Sequence, residues 1–143
     1  MPSPSKPGGA KTESNRILRP EGWPVPQGYT DGMMASGQIV VTGGVVGWDS
    51  QRRFPKGFIE QTKLALENIV AIVAAGKARP EHIVRLTWYV VDMDQYLSSR
   101  KSLGRVYREI MGSHYPAMAV VQVVRLVEPE ALVEIEATAV VPG

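Results

Sequence analysis

The sequence predicts an α+β fold, a mixed sheet with two helices on one face. Its segments follow the order β-β-α-β-α-β-β, in which strands alternate with two amphipathic helices. The last segment alternates at every second residue: apolar positions Ala131, Val133, Ile135, Ala137, Ala139 and Val141 flank the polar positions Glu134, Glu136 and Thr138. The strand before it, residues 117–126, is apolar on both faces. Two helices can cover only one face of the sheet, so we expect another copy of the chain to cover the other.

The composition fits one globular domain and excludes several kinds of site. The 143 residues are 44% hydrophobic and 21% charged, which is ordinary for a chain that buries a core. The chain has no cysteine, so it has no disulfide, thiolate nucleophile or cysteine metal ligand. His82 and His114 lie far apart and in no ligand-spaced motif, so we expect no metal site.

The charge pattern and hydropathy bear on partners and location. The formal net charge is +2, and the basic residues are spread along the chain, which gives little support to nucleic acid binding. No apolar run approaches the roughly 18 residues that a membrane span needs, and the N-terminus lacks the apolar segment of a signal peptide. We therefore expect no membrane association and a cytoplasmic location.

The N-terminal half is predicted to contain a tail, two strands and a helix. Residues 1–15 are rich in Pro, Ser, Gly and Lys and indicate a disordered tail, which leaves 16–143 as the domain. Residues 17–18 suggest a short edge strand, and 29–36 suggest a strand joined through a hairpin at Gly37-Gln38 to a second strand over 39–47. An apolar stripe predicts a helix from about 57 to 75, ended by Gly76.

The C-terminal half is predicted to contain a strand, a helix and two further strands. The strand spans 84–91, with Val84, Leu86, Trp88 and Val90 on its apolar face. The helix runs from about 93 to 111 with Asp92 or Asp94 as its N-cap, and Gly112 ends it. Strands over 117–126 and 131–141 complete the sheet.

Two features leave a choice between structural and functional interpretations. Glu134 and Glu136 form either a solvent-facing row or a pair of which one handles protons in a cleft. The pair Gly43-Gly44 inside a strand indicates either a bulge or a place where a ligand approaches the backbone N–H groups.

Several short motifs, in order, resemble the RidA/YjgF family, small trimeric proteins that deaminate reactive enamines and imines. The motifs span roughly Ile17 to Val141 and are Gly28-Tyr29, Val41-Thr42-Gly43, Gln61 with Ala65-Leu66-Glu67-Asn68, Asp92-Met93-Asp94, His114-Tyr115-Pro116-Ala117 and Val133-Glu134-Ile135-Glu136-Ala137. The resemblance implies a chorismate-mutase-like fold and a homotrimer. Its sheets would pack into a central barrel, with small-molecule substrate clefts between subunits.

The resemblance also implies a set of site residues. In the family a backbone N–H of the glycine strand assists binding, a tyrosine lines the cleft and a glutamate positions the attacking water. The matching residues here are Gly43, preceded by Thr42, then Tyr29 and Glu134, with Glu136 as a second, less central carboxylate. No metal or organic cofactor is expected, because an iminium carbon is already electrophilic.

Three positions depart from the family pattern. Met118 replaces the arginine that binds the substrate carboxylate, and methionine cannot make that bidentate contact. Gly44 stands where glutamine is usual, and Val120 stands where a small thiol or polar residue is common. These changes imply a more apolar, less anion-selective cleft. Arg100 either enters the cleft instead or is a solvated helix residue, and Arg125 is the other candidate to replace the missing arginine.

The sequence therefore supports a deaminase of imines or enamines with an atypical substrate preference. The alternatives are a small-molecule-binding or regulatory trimer that lacks the chemistry, and an RNA-directed endoribonuclease or translation inhibitor, activities that have been attributed to parts of the family.

Overall fold

A computed structural model describes residues 15–143. The predicted tail lies outside this range except for Asn15, whose side-chain amide donates a hydrogen bond to the Glu81 carbonyl (3.1 Å). The described chain forms the strands β1 (Arg16–Leu18), β2 (Gly32–Met34), β3 (Gln38–Val41), β4 (Val45–Val46), β5 (Ile83–Val90), β6 (Ala117–Gln122) and β7 (Val133–Val141). Its helices are α1 (Phe58–Ala75), α2 (Met93–Ser98) and α3 (Arg100–Met111), with a 3₁₀ turn at Pro80–His82.

The main sheet confirms the predicted mixed α+β architecture. Its strand order is β3-β7-β5-β6, and the short β4 also pairs with β7. Strands β5 and β6 run parallel, whereas the other pairs are antiparallel. Helix α1 packs on β7 and α3 packs on α1, so the helices cover one face.

The alternation of β7 sets the two faces of the sheet. Val133, Ile135, Ala137 and Ala139 are buried in the core under the helices. Glu134, Glu136 and Thr138 lie on the opposite face, which we call the open face. On that face Ile39 is 67% exposed and Val41 64% exposed, which agrees with the expectation of an uncovered apolar surface. The trimer itself stays a prediction.

The hairpin predicted at Gly37-Gln38 is wrong. Strand β2 pairs with β1 in a separate two-stranded sheet, and β3 pairs with β7. A side chain at Gly37 would overlap the Val141 carbonyl, so the glycine lets the chain turn closely past the end of β7. The glycine-containing strand is also interrupted, because residues 42–44 separate β3 from β4.

The second predicted helix is divided into α2 and α3 at Ser99. The Ser98 hydroxyl donates to the Gln95 carbonyl (3.2 Å), and the Arg100 Nε–H donates to the Leu97 carbonyl (3.3 Å). These side chains take carbonyls that a continuous helix would use, which favours a break. Of the two candidate N-caps, Asp92 accepts the Gln95 N–H (3.1 Å) and is the cap of α2.

Strand β6 is shorter than predicted because its partner ends. Gln122 pairs with Val90, the last residue of β5. After Val90 the chain leaves the sheet and begins α2 at Met93, so β5 offers β6 no further strand residue. Residues 123–132 are therefore irregular, and Val124 is 98% exposed. The last strand likewise begins at Val133 rather than at residue 131.

Candidate functional site

The predicted site residues fall into two groups on opposite faces of the sheet. Met118 and Val120 pair in register with the buried Leu86 and Trp88, so they lie on the helix side. Glu134 pairs with Tyr89 and lies on the open face. Strand β5 separates their strands, at about 4.8 Å per neighbouring pair. One chain therefore does not bring Met118 and Glu134 into one site.

The helix-side group forms a cleft of about 320 Å³ between α3, α2 and β6. It contains four of the predicted residues: Tyr29, Arg100, Met118 and Val120. The other lining residues are Gln27, Gly28, Trp88, Tyr96, Leu103, Gly104, Tyr107 and Tyr115. Sequence reasoning missed this second set because aromatic and leucine residues at helical or strand spacing are typical of a core.

Local backbone contacts place Tyr29 at this cleft. Gly28 has φ +80°, a left-handed conformation that favours glycine, so the chain turns just before Tyr29. The Thr30 N–H then donates to the Pro116 carbonyl (3.2 Å), and Thr30 forms a parallel bridge with Ala117. The motifs Gly28-Tyr29 and Pro116-Ala117-Met118 therefore lie side by side in the fold.

Aromatic rings make two walls of the cleft. Trp88 and Tyr96 meet edge to face, with centroids 6.0 Å apart, and Tyr107 stacks on Tyr115 at 5.1 Å. The Tyr107 hydroxyl donates to the His114 carbonyl (2.6 Å), and burial, with Tyr115 nearby, raises the pKa of Tyr107 above its usual range. Tyr107 is therefore a fixed structural donor rather than a proton carrier near neutral pH.

Arg100 is the one charged side chain among the described residues that line the cleft. Its Nε–H donates to the Leu97 carbonyl (3.3 Å) at the break between α2 and α3. Neither described ion pair includes its guanidinium, which is exposed at the edge of the cleft. Of the two interpretations of Arg100, the structure favours the one in which it lies at the cleft.

The open-face group contains Thr42, Gly43, Gly44 and Glu134. A Cβ on Gly44 would overlap Oε2 of Glu134, so this carboxyl lies directly against the glycine pair. The Thr42 hydroxyl accepts the Ala137 N–H (3.0 Å) and donates to the Gly43 carbonyl (2.7 Å), which holds the segment beside β7. A Cβ on Gly43 would meet nothing within 4 Å, so that residue faces open space.

The two carboxyl groups of β7 have different surroundings. Glu136 accepts the Tyr89 hydroxyl (3.1 Å), and this bond raises the pKa of Tyr89. The Glu134 carboxyl makes no hydrogen bond or ion pair with any residue from 15 to 143, whereas its backbone is paired within the sheet. Glu134 is therefore the carboxyl that is free to bind water or a ligand.

Other motif residues have structural roles. The buried Gln61 amide donates to the Pro55 and Glu130 carbonyls (both 3.0 Å) and accepts the Leu132 N–H (2.8 Å). The Asn68 amide donates to the Val46 carbonyl (3.1 Å) and fixes β4. These contacts hold the glycine segment and the start of β7 in place.

Two further features are absent from residues 15–143. These residues contain no group of three His, Asp or Glu side chains that could hold a metal ion. No helix among them combines the length and apolar character that crossing a membrane requires.

Comparisons with known proteins place the chain in a family. The family model described as Endoribonuclease L-PSP matches residues 24–141. A RutC family protein of Pyrococcus horikoshii is 31% identical over 125 residues, which are 86% of this chain and 95% of that protein. TdcF of Escherichia coli, named for reactive intermediate deamination, is 29% identical over 115 residues, which are 78% of this chain and 85% of that protein.

Solved structures agree with this assignment. The Rid family protein YyfB of Yersinia pestis superposes with a TM-score of 0.79 at 26% identity, over 89% of this chain and 98% of that one. TdcF of Escherichia coli with bound serine gives a TM-score of 0.65 at 29% identity, over 87% of this chain and 98% of that one. The motifs, the fold and these matches together show that the chain belongs to the endoribonuclease L-PSP family, which is the RidA/YjgF family.

Proposed function

We propose that this protein hydrolyses a reactive imine or enamine and releases ammonia. The observation that carries the proposal is the free carboxyl of Glu134, which lies against Gly44 while its neighbour Glu136 is bonded to Tyr89. A carboxyl without a protein partner, next to open backbone, has both a place for water and the means to take its proton. The name of TdcF, a relative over most of the chain, supports the same reaction class.

We propose further that the complete site forms between neighbouring copies in a homotrimer. The two groups lie toward opposite edges of the main sheet, because β3 and β4 are at one edge and β6 is at the other. If sheets meet edge to edge around a closed ring, the cleft of one copy faces the Glu134 group of the next. The exposed apolar residues Ile39, Val41 and Val121 of the open face would be covered in the same assembly.

The chemistry needs only groups that the chain supplies. Water adds to the imine carbon while Glu134 takes one of its protons; the C=N π pair moves to the nitrogen, which receives that proton, and the new C–O bond gives a carbinolamine. In the second stage Glu134 takes the hydroxyl proton and passes it to the amino nitrogen, the C–N bond breaks with release of ammonia, the C=O bond of a carbonyl compound forms, and Glu134 is again a carboxylate. The Gly43 N–H would donate a hydrogen bond that stabilises the negative charge that develops during the addition. Tyr29 and Met118 would hold the substrate at the mouth of the cleft.

A non-catalytic binding trimer is the second candidate. Met118 favours it, because the fixed positive charge that the family places there is missing. The free Glu134 favours the enzyme, because a pure binding site has no need of an unpaired carboxyl beside a glycine pair.

Ammonia release decides between the two candidates. Carboxylated imines are generated in place by an amino-acid oxidase and uncharged imines by an amine oxidase, and both are offered to the wild type, to Glu134→Gln and to the matched variant Glu136→Gln. We expect Glu134→Gln to lower the rate about 10²- to 10⁴-fold, the usual contribution of general acid–base catalysis, and Glu136→Gln to retain most of it. No acceleration by the wild type on small, bulky, carboxylated or uncharged imines would favour the binding trimer.

A further inference from the structure

Gly104 is a glycine that neither the backbone nor the packing of α3 requires. It lies in the interior of a helix, where glycine is less stable than alanine, and its φ is not in the left-handed region. A Cβ there would meet only the Nη1 atom of Arg108, at 3.3 Å, which is the end of a flexible side chain. Because Gly104 lines the helix-side cleft, the side chain that it lacks leaves space in that cleft.

The space that Gly104 leaves is surrounded by rings and aliphatic groups. The lining includes the Trp88–Tyr96 and Tyr107–Tyr115 pairs, together with Leu103, Met118 and Val120. A volume of about 320 Å³ is at the small end of the range for small-molecule sites, and it suits one ring with a short chain. Aromatic walls favour a flat ring, which can stack or meet them edge to face.

Two of the lining residues, Trp88 and Arg100, carry polar groups without a side-chain partner of their own. The Trp88 Nε1–H is buried and has no acceptor within residues 15–143, which is uncommon for a buried donor. The Arg100 guanidinium lies at the edge and is the only charge that the described lining offers. A ligand with a ring inside and an anionic group toward α2 and α3 would use both the apolar walls and this charge.

We propose that the cleft binds the side chain of an aromatic imino acid, with its ring beside Gly104 and its carboxylate toward Arg100. This assignment rests on the proposed deaminase function and names its substrate class. The imine carbon then lies at the mouth, near Tyr29 and Met118, where Glu134 of a neighbouring copy would reach it. Arg100 replaces, from a different element, the carboxylate contact that Met118 cannot make.

The first arm of the test measures binding without chemistry. Calorimetry compares 3-phenylpropionate with propionate on the wild type, on Gly104→Leu and on Lys101→Leu, an exposed position of α3 outside the cleft lining. We expect 3-phenylpropionate to bind about 10- to 100-fold more tightly than propionate, as the burial of one ring predicts. Gly104→Leu should remove that advantage and Lys101→Leu should keep it, with thermal unfolding confirming that both variants are folded.

The second arm measures ammonia release from phenylalanine-derived and alanine-derived imines. We expect Gly104→Leu to lower kcat/KM for the phenylalanine-derived imine about tenfold or more. The same variant should change kcat/KM for the alanine-derived imine little. Turnover of both imines without aromatic preference, together with equal binding of the two acids, would overturn the substrate assignment and leave the deaminase proposal standing. Ring-dependent binding that Gly104→Leu removes, without turnover of any imine, would overturn the deaminase and support the cleft as an aryl-carboxylate site.

Discussion

Oε2 of Glu134 occupies the position where a side chain on Gly44 would begin. This contact accounts for the second glycine of the pair, because any larger residue at position 44 must displace the carboxyl. Gly44 and Glu134 therefore act as one structural unit in this chain.

Replacement of Gly44 by alanine should impair activity more than stability. The new Cβ must push the Glu134 carboxyl away, and this is a flexible side-chain end that can move without unfolding the sheet. We expect deaminase activity to fall about tenfold or more, as misplacement of a catalytic group does, while the unfolding temperature changes little. The matched variant is Gly32→Ala in β2, where the new Cβ would have only an ordinary contact of 3.6 Å with Leu18. Equal activity of the two variants would contradict the role given to this contact.

Arg100→Gln tests the proposed carboxylate contact. We expect KM to rise about tenfold or more for imines that carry a carboxylate, which is the scale of a charge-assisted hydrogen bond, and to change little for uncharged imines. Steady-state kinetics with a charged and an uncharged imine of similar size measures the difference. Arg105→Gln, an exposed position on α3 outside the cleft lining, is the control. An equal effect of Arg100→Gln on both imines would show that Arg100 does not recognise the carboxylate.

Gln61→Leu should destabilise the fold severely for a single substitution. Gln61 is 2% exposed, and its amide satisfies the Pro55 and Glu130 carbonyls and the Leu132 N–H. Loss of these partners leaves polar groups unsatisfied, and we expect the free energy of unfolding to fall by about 2–5 kcal/mol. Urea unfolding at one protein concentration measures it, with the exposed Gln51→Leu expected to stay within about 0.5 kcal/mol of the wild type. A small change for Gln61→Leu would show that water satisfies these groups equally well.

His82 should make the fold less stable in mild acid. Its Nδ1 accepts the Arg79 N–H (2.9 Å), and burial, with the charge of Arg79, lowers the pKa of His82. Below pH of about 6.5 the unfolded chain binds a proton that the folded chain does not. The free energy of unfolding therefore falls as the pH drops from there toward the lowered pKa, by at most about 1.4 kcal/mol per pH unit.

Urea unfolding of wild type and His82→Gln at pH 7.5 and 5.5 checks the effect of this residue. We expect the decrease in stability between the two pH values to be smaller in the variant. The same decrease in both proteins would assign the acid sensitivity to other groups.

The sequence predicted most of the core elements because their patterns are long and regular. The alternation of β7 and the apolar stripe of α1 each place their residues on one face, and both elements formed within about two residues of the expected bounds. The hairpin at Gly37 failed because the turn signal is local, whereas the pairing of β3 with β7 is decided by partners about a hundred positions away. The prediction of one continuous helix through Ser99 failed for a similar reason. Side chains that compete for backbone carbonyls can interrupt a helix while its apolar stripe stays intact.

The candidate site was predicted only in part. The resemblance supplied Glu134 and Met118, but strand alternation alone could not say which of the two carboxyl groups is free, because Tyr89 reaches Glu136 from a different strand. The aromatic cleft was missed because Trp88 and Tyr107 have the spacing of core residues. An interior helix glycine, Gly104, was the signal that could have indicated open space beside them.

The proposed deaminase site joins the cleft of one copy to Glu134 of the next copy. The most direct measurement mixes two folded and separately inactive variants, Glu134→Gln and a cleft-blocked Met118→Trp, by joint refolding at equal amounts. Three-fold assembly predicts that each mixed trimer regains one wild-type site, so about a quarter of the wild-type ammonia release should return. If the mixture is as inactive as its components, although native mass spectrometry shows mixed trimers, the site is not shared between copies.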